Sequence, residues 1–143
     1  MAQLTGKTII ITGSSRGVGA DTAQILAAEG ANIVVNYRSK APRANKIVKA
    51  IEEAGGKAVA VQADVTKAED LQTLVNTAVE TFGSLDYLIL NASGGMETGM
   101  GEDYAMRLNR DAQLNLARLA AEKMPEGGRI VFVTSHQAHF IRE

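Results

Sequence analysis

The chemistry this sequence advertises begins at Thr12-Gly13-Ser14-Ser15-Arg16-Gly17-Val18-Gly19. Gly13 can turn without a Cβ penalty. Gly17 leaves room for a pyrophosphate to approach the backbone, Gly19 lets a following helix lie close to a sheet, and Ser14 and Ser15 add hydroxyl donors. The glycine spacing is G-x3-G-x-G rather than G-x-G-x-x-G, and no Lys-Ser or Lys-Thr pair follows the last glycine, so the stretch is not a P-loop. His136 and His139 form an H-x-x-H with no acid or cysteine beside it, and no metal site is expected there. Ser135-His136 lacks the G-x-S-x-G elbow of a hydrolase.

An apolar run, Ile9-Ile10-Ile11, leads into the glycine stretch, and a helical pattern leaves it. The spacing of Val18, Thr22, Ile25, Leu26 and Glu29 predicts that they share one helix face. Strand, glycine-rich turn and helix together set free backbone N–H groups and a helix N-terminus before an anion. Taken alone the glycines could make a plain tight turn. Their place between strand and helix favours a dinucleotide site.

Five short apolar runs recur, at Thr8–Ile11, Ile33–Val35, Val59–Val61, Tyr87–Leu90 and Ile130–Val133. They are nearly continuous rather than alternating, as strands are when helices cover both faces. A second helix is expected from about Pro42 to Ala54, with Ile47, Val48 and Ile51 inward and Gly55-Gly56 at its exit. The third carries Leu71, Leu74, Val75, Ala78, Val79 and Phe82; Thr66 with Glu69 reads as its capping box and Gly83 as its close. The fourth, about Glu102 to Met124, carries Leu108, Ala112, Leu116, Leu119 and Ala120. Alternating strands and helices predict a parallel sheet with right-handed crossovers. The polar, glycine-rich stretch Ser93 to Gly101 follows the fourth strand, on the edge where open α/β sheets bind ligands.

The chain has 143 residues, enough for one domain with a real core. Its composition is 45% hydrophobic and 22% charged with a net charge of −1, which gives no electrostatic reason to expect nucleic acid or a membrane surface as partner. Having no cysteine, it can form neither disulfides nor thiolate metal sites. The first residues lack the apolar segment of a signal peptide, and no run is long enough to cross a bilayer; the expected location is cytoplasmic.

On these residues the chain resembles the short-chain dehydrogenase/reductase family. The signature Thr-Gly-x3-Gly-x-Gly is met at Thr12, Gly13, Gly17 and Gly19. Asp64-Val65 ends the third strand, where the family's Asp holds the adenine amino group. Asn91-Ala92 ends the fourth like the last part of Asn-Asn-Ala-Gly, although Leu90 and Ser93 replace its outer residues. Asn109 falls where the family keeps an Asn in its long helix, and Thr134-Ser135 closes the fifth strand, where its catalytic Ser sits. The resemblance implies a Rossmann-type, doubly wound α/β sheet. Residues 1–143 would be its dinucleotide-binding part, incomplete at the C-terminal end.

The second strand decides which dinucleotide. An NAD site usually ends this strand with a carboxylate on the ribose. Here the run is Ile33-Val34-Val35-Asn36-Tyr37-Arg38-Ser39; Tyr37 takes the family's Asp position and no acid follows. The Arg38 guanidinium offers forked donors to a 2′-phosphate, Ser39 adds a hydroxyl, and Arg16 is the second basic residue the resemblance implies. The expected cofactor is NADP(H). Its expected contacts are residues 13–19, Tyr37, Arg38, Ser39, Asp64, Val65, Asn91, Ala92, Ser93 and Thr134.

For catalysis the resemblance implies Ser135 on the substrate oxygen and Asn109 supporting a water relay. The family's Tyr-x-x-x-Lys pair does not occur: residues four beyond Tyr37, Tyr87 and Tyr104 are Ala41, Asn91 and Leu108. The expected function is NADP(H)-dependent hydride transfer to or from a small carbonyl or alcohol, with the Tyr and Lys beyond Glu143. The alternatives are a non-catalytic NADP(H)-binding regulatory or structural protein and a module for another nucleotide. The family also implies a homodimer or homotetramer.

Overall fold

The computed structural model describes residues 4–13, 17–38, 41–64, 67–91, 102–125 and 127–133. The strands are β1 (Thr8–Ile11), β2 (Asn32–Tyr37), β3 (Lys57–Gln62), β4 (Tyr87–Asn91) and β5 (Arg129–Val133). The helices are α1 (Gly17–Ala28), α2 (Ala41–Glu53), α3 (Ala68–Phe82) and α4 (Glu102–Lys123). The strands pair in parallel in the order β3-β2-β1-β4-β5. This is the doubly wound arrangement expected of strand–helix alternation, with the order reversing between β1 and β4.

Successive side chains of a strand point to opposite faces, and here both faces are covered. Ile9, Ile11, Ile33 and Val35 pack with Ala23, Ala27, Ala44 and Ile51 of α1 and α2. On the other face, Ile10, Val34, Val61, Leu88 and Leu90 pack with Leu71, Leu74, Val75 and Ala78 of α3 and with Leu116 and Ala120 of α4. Two-sided burial is why the strand sequences read as unbroken apolar runs. β2 and β3 are longer than their apolar cores: β2 takes in Asn32, Asn36 and Tyr37, and β3 starts at Lys57.

Two local expectations are corrected. The buried face of α1 is Ala20, Ala23 and Ala27, not the face that the spacing picked out, where Ile25 is 64% exposed. Small side chains let this helix sit close to β1, and close packing outweighs the larger apolar area Ile25 would bury. The capping box is displaced too. The N-cap of α3 is Lys67, with no side-chain cap hydrogen bond, so Glu69 sits too early to reach back across the first turn. Thr66 lies outside the described residues. Glu69 and Asp70 still place negative charge at the positive end of the helix. At its other end Gly83 adopts the left-handed conformation, φ +90°, and donates its N–H to the Val79 carbonyl, as expected.

Candidate functional site

Parallel pairing brings the C-terminal ends of the strands to one edge, so residues distant in sequence meet there. β1 is followed by Thr12, buried, whose N–H donates to the Ile89 carbonyl of β4 at 3.0 Å. Gly13 follows at φ +62°, a backbone conformation that a side chain would strain. α1 opens at Gly17, and Gly19 is buried in its first turn. The sheet therefore delivers the chain through a left-handed turn to a helix N-terminus, the geometry that receives anions.

Gly13 does not turn unaided. Its N–H donates to Asn36 Oδ1 of β2 at 3.0 Å, and Asn36 Nδ2 donates to the Ala63 carbonyl at 3.2 Å and, more weakly, to the Val61 carbonyl at 3.5 Å. Asn36 is only 3% exposed. Its amide thus joins the ends of β1, β2 and β3. This residue was not foreseen: a polar position inside an apolar strand looks like a boundary, and its partners lie 23 to 27 residues away.

Beside it, Tyr37 is half-buried against the core and its carbonyl accepts from Ala63 N–H at 2.9 Å. Arg38 is exposed, and its carbonyl accepts from Gln62 Nε2 at 3.1 Å, so the guanidinium starts from a backbone anchored on β3. No carboxylate occupies the last positions of β2. Asp64, half-buried, follows β3; its N–H donates to Asp70 Oδ2 at 2.8 Å and its carbonyl accepts from Lys67 N–H at 2.9 Å. One α3 side chain thereby fixes the turn that presents Asp64.

Gly13, Gly17, Gly19, Tyr37, Arg38 and Asp64 accordingly gather at the ends of β1, β2 and β3. Asn91 closes β4 in register with Val133 of β5. Ser14, Ser15, Arg16, Ser39, Val65, Ala92, Ser93, Thr134 and Ser135 lie outside the described residues, as do His136 and His139. For Val18, Asn91 and Asn109 the description covers the backbone alone.

At the opposite, N-terminal edge lies a second polar group that sequence reasoning missed. Asp86 is 8% exposed; its Oδ2 accepts from Thr8 N–H and from Ser84 Oγ, both at 2.9 Å. Its own N–H donates to the Thr8 carbonyl and its carbonyl accepts from Arg129 N–H. One buried residue thus ties the starts of β1, β4 and β5. Among the described residues there is no group of three His, Cys, Asp or Glu that could hold a metal ion, and no helix long and apolar enough to cross a membrane.

The edge can hold an elongated, anion-bearing ligand: a turn and helix N-terminus for a pyrophosphate, with a guanidinium and a carboxylate at the far end. A dinucleotide is the kind of group such an edge fits, with Gly13 turning at φ +62° and Gly17 opening α1.

Comparison with known proteins agrees. A family model described as short chain dehydrogenase matches residues 7–142. An uncharacterized oxidoreductase of Methylorubrum extorquens is 42% identical over 142 residues, covering 94% of this chain and 57% of the relative. A short chain dehydrogenase from Burkholderia cenocepacia, solved in complex with NADP, superposes with a TM-score of 0.85 at 35% identity, over 99% of this chain and 60% of its own. A 7α-hydroxysteroid dehydrogenase complexed with NADH and 7-oxo glycochenodeoxycholic acid gives a TM-score of 0.85 at 33% identity, over 99% and 58% of the two chains. The chain thus spans a little over half the length of the relatives it matches.

Proposed function

The chain belongs to the short chain dehydrogenase family, and from that premise we propose that it is the coenzyme-binding part of an NADP(H)-dependent oxidoreductase acting on a small carbonyl or alcohol. Oxidoreductase chemistry follows from the family. The choice of coenzyme rests on one observation: β2 ends at Tyr37 and Arg38 follows it, with no carboxylate to accept ribose hydroxyls. Arg38, anchored through its carbonyl by Gln62, supplies the forked donors a 2′-phosphate needs, and Arg16 supplies a second guanidinium from the glycine-rich loop.

Residues 13–19 would hold the pyrophosphate, Asp64 and Val65 the adenine, and residues 91–93 and Thr134 the nicotinamide side. The bound coenzyme supplies or accepts the hydride. Ser135 would hydrogen-bond the reacting oxygen, which gains negative charge during reduction, and Asn109 would hold a water in the proton relay. In this scheme a Tyr with its Lys, outside the 143 residues, delivers the proton. We further propose a cytoplasmic location and a homodimer or homotetramer, paired as in the family through the fourth helix, here α4, and the helix after it.

The test uses the whole protein. NADPH should bind at least ten-fold more tightly than NADH and should be oxidised on addition of simple ketones or aldehydes. Equal affinity for the two coenzymes would refute the assignment of the 2′-phosphate. Tight NADPH binding without carbonyl reduction would favour a non-catalytic binding protein.

A further inference from the structure

We propose that Asn36 is a positioning residue for the coenzyme's pyrophosphate, acting through Gly13; the inference rests on the dinucleotide reading above. A terminal amide has one accepting oxygen and one donating nitrogen, and here the surroundings fix which is which. The carbonyls of Val61 and Ala63 occupy one side, at 3.5 and 3.2 Å, and can only accept; the nitrogen must face them. The oxygen is thereby turned toward Gly13 N–H, 3.0 Å away. Burial of Asn36 to 3% exposure keeps water from competing for these partners.

The consequence concerns which groups are left for a phosphate. Gly13 donates its N–H to Asn36, so its part at the site is conformational: it supplies the left-handed turn, φ +62°, by which the chain leaves β1. Asn36 holds that turn from β2. Asp has no donor for the two carbonyls, Ser falls short of Gly13, and an apolar residue would leave buried polar groups unmatched. The adenine end meets Asn36 at the Ala63 carbonyl but has three further bonds of its own. Ala63 N–H is bound to the Tyr37 carbonyl, and Asp64 is bound to Asp70 and Lys67. Loss of the Asn36 side chain should therefore disturb the pyrophosphate end of the site selectively.

The experiment compares two ligands on the whole protein: NADPH, which carries the pyrophosphate, and adenosine 2′-monophosphate, which does not. Asn36→Ala should raise the NADPH dissociation constant about ten-fold and change that of adenosine 2′-monophosphate less than two-fold. Asn36→Thr keeps a polar, β-branched residue in the strand but stops one bond short of Gly13; it should give the same split and decides the matter if the alanine variant does not fold. Equal weakening of both ligands would show a merely structural role and overturn the proposal, as would unchanged NADPH affinity in either variant. If the unaltered protein prefers NADH, the 2′-phosphate assignment fails separately, and NADH with AMP tests Asn36 in the same way. A protein that binds neither coenzyme refutes the dinucleotide reading and this inference with it.

Discussion

Reversing the charge at Arg38 should move the coenzyme preference. The side chain is exposed, so the interaction runs through solvent rather than a low-dielectric interior. In water two unit charges about 4 Å apart interact by about 1 kcal/mol. Arg38→Asp changes the residue's charge by two units, and a 2′-phosphate carries roughly −1.5 to −2, giving about 3–4 kcal/mol before screening. A Debye length of about 8 Å at physiological ionic strength reduces this to about 2 kcal/mol, or roughly thirty-fold in affinity. NADH has no phosphate at this position, and a carboxylate on β2 can accept its ribose hydroxyls, so its affinity should hold or improve. The assay is titration of both coenzymes by nicotinamide fluorescence at low and high salt. NADPH should weaken about thirty-fold in the variant, and its affinity for the unaltered protein should fall with salt more steeply than that of NADH. A ratio of the two affinities that stays within two-fold would refute the reasoning, because the fold of β2 would then place Arg38 away from the phosphate.

Asp86→Ala strands Thr8 N–H in the interior and should cost about 2–3 kcal/mol in urea unfolding, whereas Asp86→Asn, which keeps an acceptor, should cost about half as much. Ala23→Leu puts extra methylenes where α1 lies against the sheet at 0% exposure; a loss of about 1–3 kcal/mol is expected, with weaker coenzyme binding because α1 carries the anion-facing N-terminus. Asp70→Ala removes the acceptor for Asp64 N–H and should weaken adenine-nucleotide binding several-fold, measurable with AMP, while costing only about 1 kcal/mol of stability.

The strands were legible because burial on both faces wrote them as apolar runs, and their order of appearance fixed the alternation. The face of α1 was not. Alanines at positions 20, 23 and 27 carry little hydrophobic signal, and Ile25 carries much, yet closeness of packing placed the alanines inside. Asn36 and Asp86 were invisible for a different reason: a buried polar residue is recognised by its partners, and Asp86 finds Thr8 at a separation of 78 residues. Arg38 and Asp64 could be located from sequence because they follow strand ends, but their anchoring by Gln62 and Asp70 depends on how β3 and α3 lie beside them.

The centrality of β1 also has a consequence for synthesis. β1, made before both of its neighbours, lies between β2 and β4, and on the second side its Ile9 pairs with Tyr87, 78 residues later. At roughly 5–20 residues per second on the ribosome, that edge waits several seconds or more for its neighbour. During this interval an apolar strand is sheathed on one side only. The cell must shelter it until β4 emerges, and slow translation between β2 and β4 would lengthen the exposure.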